Sequence, residues 1–533
     1  MKQVIVVADK VDDAGLRILR DAEDIELREA IGDKDALIAA LPSAHGLLVR
    51  SDTQVTAALI AQAPRLRAIG RAGMGIDNID VQAATRRGIA VLNAPGANTV
   101  SAAEHALALL LALVRRIPWA VQSMREGRWD RKAFGGTELR GKTLGVVGLG
   151  RIGSHIAGIA RAFGMQVVAH DPYLSEDRAR DLRIELATLD DLLARADVIT
   201  LHLPKTEQTR GIIDRRRLAL LKPSAVLVNT ARGGLVDEAA LVEALDAGRL
   251  AGAAVDVFEE EPLPADSPMR ACDRLILTPH LAASTAEAQE RVALEICQAV
   301  RNALVSGDVG GAVNVTGVTG ETMKRLRDLL ELARRLGRLA GSMAGGRFKG
   351  IEVHYGGHDD DAPRPATLAA LEGMFGAAGI APVTLINAQQ LAKERGVAVS
   401  RRAGQPVAGY DTTLGVTVQS DLGAATVVGA VVGDRVHAAR VVQLDGYGVD
   451  VPAEGCMLVL QNRDVPGVIG RVGSVLGDAG INIAAYHQAR LPDRPEALAA
   501  IVVDHAPDAT VLESLKKLPD ISSVHFAALD GDA

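Results

Sequence analysis

The stretch TLGVVGLGRIG, residues 143–153, decides the fold of this chain. Its first five residues form a short apolar run of the kind that is buried on both faces of a parallel sheet. Gly148, Gly150 and Gly153 then give the pattern G-x-G-x-x-G at the start of a helical segment. Asp171 ends the next apolar run, 18 residues after Gly153. This strand–turn–helix–strand context predicts a dinucleotide-binding unit.

Each residue of this motif has a chemical reason to be there. Gly148 permits a tight turn, Gly150 lets the backbone approach a pyrophosphate, and Gly153 lets the helix pack on the strand. The helix N-terminus then faces the phosphates. The Asp171 carboxylate suits the ribose hydroxyls and repels a 2′-phosphate, so the motif favours NAD over NADP. The alternative is a glycine turn in an α/β domain that binds no cofactor.

Working outward, short Val/Ile-rich runs alternate with helical stretches through the first 300 residues, which predicts an α/β, doubly wound class. Ser101 and Glu104 have capping-box spacing before an apolar run, which predicts a helix start there. The sequence pattern changes near residue 313, where glycines indicate a linker before a further region with Val-rich strands. The last 80 or so residues predict the order βαββαβ of the ferredoxin-like split fold.

Composition narrows the function classes. The chain has 533 residues, 48% hydrophobic and 23% charged, with a net charge of -7, which is typical of a soluble protein of several domains. The negative charge and 2% aromatic content argue against a nucleic-acid partner. Three cysteines without a C-x-x-C pair predict neither a disulfide framework nor a zinc site. No stretch reads as a signal peptide or membrane span, so we expect a cytoplasmic protein without a membrane partner.

Three further segments carry side chains suited to catalysis: NTARGG (229–234), DVFEEEP (256–262) and TPH (278–280). Each follows a predicted strand, at the sheet edge where open α/β sheets bind ligands. Arg232 can clamp a carboxylate through two hydrogen bonds, and His280 can exchange a proton near neutral pH. Glu261 would orient the His280 ring and favour its charged form. Taken singly, each also fits an ordinary turn or surface residue.

Together with GRAGMGIDN (70–78) and NAP (93–95), these segments resemble the D-isomer-specific 2-hydroxyacid dehydrogenases. With the C-terminal region included, the whole chain resembles the long-form D-3-phosphoglycerate dehydrogenase family. The resemblance implies two doubly wound Rossmann-like lobes, then an α+β intervening domain and a βαββαβ ferredoxin-like ACT domain. The implied domains are a discontinuous substrate-binding domain at 1–99 and 284–315, an NAD-binding domain at 100–283, an intervening domain at 316–452 and an ACT regulatory domain at 453–533.

The resemblance also implies residue roles. The catalytic set is Arg232, Glu261 and His280. The cofactor set is Gly148, Gly150, Arg151, Ile152, Gly153, Asp171, Thr230, Ala231, Asp256 and Ala283. The substrate set is Arg50, Ser51, Arg71, Asn98, Arg131 and Lys132, of which the last two would meet the substrate phosphate of a neighbouring subunit. Asn462, Asp464 and Asn482 would bind L-serine as a feedback inhibitor, and the family implies a homotetramer.

One departure concerns the strand pair that ends the intervening domain, where long-form members carry basic residues. Arg440 and His437 remain here, but Gly448 and Pro452 replace others, which weakens the prediction of a second anionic effector site.

The resemblance implies NAD-dependent oxidation of D-3-phosphoglycerate to 3-phosphohydroxypyruvate, the first step of L-serine synthesis. A close alternative is a related 2-hydroxyacid dehydrogenase that reduces 2-oxoglutarate, hydroxypyruvate or glyoxylate. A different class is an NADH-sensing corepressor-type binding protein, which retains the same three catalytic residues but should turn over almost no substrate.

Overall fold

The computed structural model describes residues 2–315, 320–380, 382–433, 438–492 and 495–530. They form two compact units. One comprises residues 11–16 and 94–295, and the other comprises the first ten residues, 17–93 and 296–533. The predicted boundary at residue 316 and the predicted basic residue His437 both lie outside the described residues.

The N-terminal sheet has parallel strands in the order β2-β1-β3-β4-β5. Its inner strands are buried except for one half-buried end residue in each of β1 and β4. In contrast, Ile25–Glu29 at the edge alternates with charged residues and was not predicted from its sequence for that reason. The elements are β1 Gln3–Val7, α1 Asp13–Arg20, β2 Ile25–Glu29, α2 Lys34–Ala40, β3 Gly46–Val49, α3 Ala57–Ala61, β4 Ala68–Arg71, α4 Val81–Arg86 and β5 Ala90–Leu92.

The second sheet has the order β12-β11-β10-β9-β6-β7-β8, and all its pairs are parallel. Its first strand in the chain, β6, lies between β7 and β9, which is the switch point of a doubly wound sheet. Both sheets confirm the predicted fold class. The elements are α5 Thr99–Val114, α6 Ile117–Arg125, β6 Thr143–Val147, α7 Arg151–Ala162, β7 Gln166–His170, α8 Glu176–Asp181, β8 Glu185–Leu186, α9 Leu189–Arg195, β9 Val198–Leu201, α10 Arg215–Leu218, β10 Val226–Asn229, α11 Glu238–Asp246, β11 Gly252–Val255, β12 Leu275–Leu277 and α12 Ala286–Val305.

Helix α5 begins earlier than its capping-box spacing predicts. It starts at Thr99 after Asn98, whose side chain makes no capping bond. Ser101 is instead buried, and its hydroxyl lies 2.8 Å from the hydroxyl of Thr285. The predicted start at Ser101 was therefore wrong, because tertiary packing uses that hydroxyl.

The third sheet has the order β14-β13-β15-β16-β17-β18 and is covered by the helix pair α14 and α15. The two helices approach closely, because a Cβ on Gly337 would lie 2.0 Å from the carbonyl oxygen of Ala370. The elements are α13 Gly320–Arg325, α14 Arg327–Ala344, β13 Phe348–Gly356, α15 Pro363–Ala377, α16 Ala388–Glu394, β14 Ala398–Gly404, β15 Thr413–Ser420, β16 Ala424–Val432, β17 Ala438–Leu444 and β18 Tyr447–Pro452.

The C-terminal region confirms the predicted βαββαβ order, with the sheet order β20-β21-β19-β22. Both faces of this sheet are covered. Along β19, Met457 and Val459 belong to the core that includes α14, whereas Leu458 and Leu460 face α17 and α18. The elements are β19 Cys456–Arg463, α17 Val468–Asp478, β20 Ile483–Arg490, β21 Glu496–Val503, α18 Ala509–Lys516 and β22 Ile521–Ala528.

Candidate active site

The register of the second sheet aligns the ends of the strands that carry the predicted site. Asn229 at the end of β10 pairs with Val255 on β11, which in turn pairs with Leu277 on β12. On the other side, Asn229 pairs with Leu201, which pairs with Val147 at the end of β6. The glycine motif and the three catalytic segments therefore leave the sheet along one carboxyl edge, as predicted.

The glycine loop has the shape that its sequence predicts. Gly148 has a φ of +94°, and a Cβ there would lie 2.5 Å from the carbonyl oxygen of His202. A Cβ on Gly153 would lie 2.0 Å from the carbonyl oxygen of Gly148, so α7 packs directly on the turn. Gly150 is different, because its Cβ would meet no described atom within 4 Å. The open space beside Gly150 is where the pyrophosphate of a dinucleotide would approach the protein backbone.

Asp171, which was predicted to contact the ligand, also makes hydrogen bonds within the protein. Its carboxylate accepts hydrogen bonds from the backbone N–H of Leu149 at 2.9 Å and of Tyr173 at 3.0 Å. The first bond ties the end of β7 to the glycine loop. Arg151 and Ile152 form the first turn of α7, where Arg151 is exposed and Ile152 half-buried.

His280 and Glu261 form the predicted acid/base pair. His280 Nδ1 lies 2.8 Å from Glu261 Oε2, and Glu261 Oε1 accepts the backbone N–H of Phe258 at 2.9 Å. Burial alone would raise the pKa of Glu261, but the bonds from His280 and Phe258 outweigh it and hold that pKa below its usual value. The side chain of His280 is 48% exposed, so its other ring nitrogen can reach a substrate.

Arg232 lies in a turn that packs tightly against the segment carrying Glu261. A Cβ on Gly233 would lie 1.7 Å from the carbonyl oxygen of Phe258. The Asn229 side chain closes the turn, accepting the N–H of Ala231 at 3.1 Å and donating to the carbonyl oxygen of Arg232 at 3.0 Å. The Arg232 side chain is half-buried, and its guanidinium donates to the carbonyl oxygen of Ala231 at 2.7 Å, which restrains the position of the guanidinium.

Asp256 was predicted to contact the cofactor, and its carboxylate is fully buried. It accepts hydrogen bonds from the hydroxyl of Thr278 and from the backbone N–H groups of Leu281 and Ala282. His105 Nε2 lies 3.2 Å away, although sequence reasoning did not single out this residue. The available signal was a histidine directly before the apolar run that forms the rest of α5.

Several polar atoms near the strand ends fit a polar ligand. The side-chain oxygens of Asn98, Thr99 and Thr230 are buried and have no hydrogen-bond partner among the described residues. Such atoms normally find a partner, which a bound dinucleotide or substrate can supply. With the open cradle at Gly150 and the carboxylate of Asp171, they make this lobe suited to NAD. Ala283 is half-buried, just after the segment that Asp256 holds.

Arg50, Ser51 and Arg71 belong to the other compact unit, at the carboxyl edge of the N-terminal sheet. Val49 at the end of β3 pairs with Arg71 on β4, so Arg50 follows directly beside Arg71. The buried Asp9 accepts the N–H of Arg50 at 2.6 Å, and Asn78 donates to its carbonyl oxygen at 2.9 Å. These bonds hold the backbone that carries Arg50 and Ser51.

Two further groups of predicted residues belong to other parts of the chain. Arg131 and Lys132 are exposed in a turn beyond α6, so they do not cap a helix. In the C-terminal region, Asn462 is 1% exposed, Asp464 pairs with Arg490 at 2.8 Å, and Asn482 donates to Asp504 at 3.1 Å. Their roles, like the other residue roles and the four-domain division, stay predictions.

Arg440 pairs with Asp450 in the neighbouring strand, so it is neutralised within its own sheet. Among the described residues, no group of three or more His, Cys, Asp or Glu side chains has a metal-binding arrangement. The helices of the described ranges include none with the length and hydropathy needed to cross a bilayer.

Comparison with known proteins gives consistent matches along the chain. Residues 107–282 match the NAD-binding domain of D-isomer-specific 2-hydroxyacid dehydrogenases, 325–445 match the D-3-phosphoglycerate dehydrogenase intervening domain, and 457–520 match the ACT domain. D-3-phosphoglycerate dehydrogenase of Synechocystis is 40% identical over 98% of this chain and 94% of its own. The enzyme of that name from Mycobacterium bovis is 45% identical over 94% of each.

A solved structure points the same way for the first part of the chain. D-lactate dehydrogenase from Aquifex aeolicus, complexed with NAD and lactic acid, matches with a TM-score of 0.52 and 32% identity. The match covers 58% of this chain and 96% of that protein. Together, the comparisons bear out the resemblance that the motifs predict.

Proposed function

We propose that this chain, which belongs to the D-3-phosphoglycerate dehydrogenase family, oxidises D-3-phosphoglycerate to 3-phosphohydroxypyruvate with NAD. That reaction is the first step of L-serine synthesis. The observation that carries the proposal is the His280–Glu261 pair at 2.8 Å, on the sheet edge that also carries Arg232 and the glycine loop. NAD, when bound, accepts the hydride that leaves C2 of the substrate.

The residues of the chain supply binding and proton transfer. Arg232 holds the substrate carboxylate through two charge-assisted hydrogen bonds. His280 Nε2 takes the proton from the C2 hydroxyl as the C–H bond breaks, since Nδ1 is engaged by Glu261. The positive charge that develops on the imidazole is stabilised by the Glu261 carboxylate, whose lowered pKa keeps it ionised at neutral pH. In the reverse direction, the same nitrogen returns the proton to the carbonyl oxygen.

Initial rates test this function directly. We expect NADH formation from D-3-phosphoglycerate and NADH consumption with 3-phosphohydroxypyruvate. Good rates only with 2-oxoglutarate, glyoxylate or hydroxypyruvate would move the chain to a sister activity. Turnover of none of these acids, with NADH still bound, would favour a binding protein.

L-serine is proposed as a feedback inhibitor that binds the C-terminal domain through Asn462, Asp464 and Asn482. The exposed Asn482 side chain, just before β20, supports an accessible polar site. The strand register puts Asn462 and Asp464 at the other end of this sheet, so the three residues would bind one serine only between paired domains. We expect serine to lower the initial rate and Asn482→Ala to relieve that effect without changing the uninhibited rate. Turnover indifferent to serine would leave this domain as an assembly module.

A cytoplasmic homo-oligomer, most simply a homotetramer, is proposed as the working form. The support is an apolar stripe on α6, where Ile117, Val121 and Met124 are 49%, 43% and 55% exposed. Residues spaced four and three apart share one helix face, and such faces are usually covered by a partner. Trp129 follows with 77% exposure, two residues before Arg131. A partner on this stripe would bring those two cations towards a neighbouring substrate phosphate.

A further inference from the structure

His105 lies near the middle of helix α5, and its ring contacts a buried carboxylate. Its Nε2 lies 3.2 Å from Oδ1 of Asp256 and 3.4 Å from the hydroxyl of Thr278. The Asp256 side chain is 0% exposed and that of His105 is 20% exposed. A buried carboxylate is costly unless hydrogen-bond donors surround it, so the contact has a physical reason.

Asp256 holds the segment that carries the acid/base histidine through both its side chain and its backbone carbonyl. Its Oδ1 accepts the N–H of Leu281 at 2.8 Å, and its Oδ2 accepts the N–H of Ala282 at 3.0 Å. Its own carbonyl oxygen accepts the N–H of His280 at 2.9 Å. Asp256 therefore accepts the backbone N–H groups of three consecutive residues, His280, Leu281 and Ala282.

The backbone of His280 needs such support. Its φ is +53°, in the left-handed region, which is unfavourable for a residue with a Cβ. A conformation of that kind persists only where the surrounding structure enforces it. The bonds to Asp256 supply that enforcement, and they leave His280 Nδ1 at 2.8 Å from Glu261.

We propose that His105 is a positioning residue for the reaction: its ring N–H completes the hydrogen bonds of the buried Asp256 carboxylate, which holds His280 in its working conformation. The proposal rests on the proposed function, in which His280 moves the proton. His105 itself acts through Asp256 and Thr278 rather than on the substrate.

The balance of forces on Asp256 supports this role. Burial alone would raise the pKa of Asp256, but the bonds from His105, Thr278 and Leu281 outweigh it and keep the pKa below its usual value. Among the described residues, Glu261, which the Asp256 charge reaches, and its partner His280 also face this cluster. Loss of the His105 donor raises the pKa of Asp256, so its carboxyl takes a proton at a higher pH. A protonated carboxyl can no longer accept all its bonds, and the segment loosens as the pH falls.

Two variants separate the hydrogen bond from mere packing. His105→Leu keeps the apolar volume and removes the donor, whereas His105→Gln can place an amide N–H near the position of Nε2. For His105→Leu we expect kcat to fall by about 10- to 100-fold, the cost of misplacing a catalytic group. The acid limb of its kcat–pH profile should move to higher pH, because Asp256 loses a donor that stabilises its charged form. His105→Gln should restore most of kcat and return the acid limb of the kcat–pH profile towards that of the wild type.

Hydrogen–deuterium exchange gives a readout that does not depend on turnover. The amides of Leu281 and Ala282 should exchange faster in His105→Leu and return towards wild type in His105→Gln. Glu104→Gln, the exposed neighbour on the same helix, is the matched control and should leave rate, profile and exchange unchanged.

The outcomes divide cleanly. An unchanged profile and unchanged exchange in His105→Leu would overturn the proposal, as would equal losses in the Leu and Gln variants. If His105→Leu fails to fold, His105→Gln decides alone: near-normal kcat and exchange support the donor role, and a large loss overturns it. Absence of wild-type turnover with D-3-phosphoglycerate would defeat the proposed function, while the exchange experiment would still test His105.

Discussion

At the scale of single residues, the chemistry depends on how one histidine is held. Glu261 occupies Nδ1 of His280 and is itself held by the N–H of Phe258, so the ring has one nitrogen left for the substrate. A carboxylate in this position fixes the tautomer and stabilises the charged ring without taking its proton. The same scale would account for a preference for NAD over NADP, because the residue proposed to contact the ribose, Asp171, carries a carboxylate.

Replacing His280 with alanine should remove the proton acceptor and leave the cofactor lobe intact. We expect kcat to fall by about 10²- to 10⁴-fold, the usual contribution of a general base. NADH affinity, measured by fluorescence titration, should change little. His358→Ala, at an exposed histidine of the intervening region, is the control and should keep full activity. Turnover close to wild type in His280→Ala would refute the assignment.

Asp171 offers a test that separates charge from loop support. Asp171→Asn removes the charge but keeps an acceptor for the N–H of Leu149, whereas Asp171→Ala removes both. Losing a like-charge contact of ~1–2 kcal/mol should raise the kcat/KM ratio of NADP over NAD by about tenfold in both variants. Only Asp171→Ala should also lower the melting temperature. An unchanged preference in Asp171→Asn would contradict the ribose role.

At the scale of elements, the glycine loop and α7 behave as one unit. Gly153 lies against the carbonyl oxygen of Gly148, and Asp171 at the end of β7 binds the loop from the other side. The helix N-terminus is therefore fixed relative to the sheet before any ligand arrives. Preorganised backbone N–H groups of this kind bind phosphates well, because little reorganisation is needed.

Two glycines of this loop should respond differently to the same change. Gly153→Ala places a methyl group against backbone, so we expect about 1–3 kcal/mol of destabilisation and a lower melting temperature. Gly150→Ala meets no described atom within 4 Å, so the melting temperature without ligand should hold. Its NADH dissociation constant should nevertheless rise, since the methyl group occupies the approach of the pyrophosphate. Normal NADH affinity in Gly150→Ala would argue against that approach.

At the scale of the whole molecule, the C-terminal sheet is not an independent layer. Its face opposite α17 and α18 shares a core with α14 of the preceding region. Arg335 on α14 pairs with Asp530 at 2.6 Å, and Arg338 donates to the carbonyl oxygen of Ala528 at 3.2 Å. The predicted boundary at 452–453 therefore separates two sheets that share one apolar core, and we expect them to unfold together.

The apolar stripe on α6 gives a prediction for assembly. Charged residues in a buried interface are strongly unfavourable, so the double variant Val121→Glu, Met124→Glu should lower the mass measured by light scattering. Ile38→Glu on α2 is the control, since Ile38 is a comparably exposed apolar residue at 38%. An unchanged mass in the double variant would exclude this face as the interface. A reduced mass with a raised KM for D-3-phosphoglycerate would also support Arg131 and Lys132 as phosphate contacts.

The sequence by itself determined those features that short patterns carry. The dinucleotide loop at 143–153, the buried parallel strands, the C-terminal βαββαβ order and the set Arg232, Glu261 and His280 all follow from spacing and from residue types next to predicted strands. Only the tertiary structure decided what lies against these elements: His105 beside Asp256, Asp171 on the N–H of Leu149, and α14 beneath the C-terminal sheet. The physical reason is that an apolar pattern states how much of a strand or helix is buried, but not which partner covers it. That choice depends on contacts between residues far apart in the chain, such as His105 and Asp256, which no local pattern encodes.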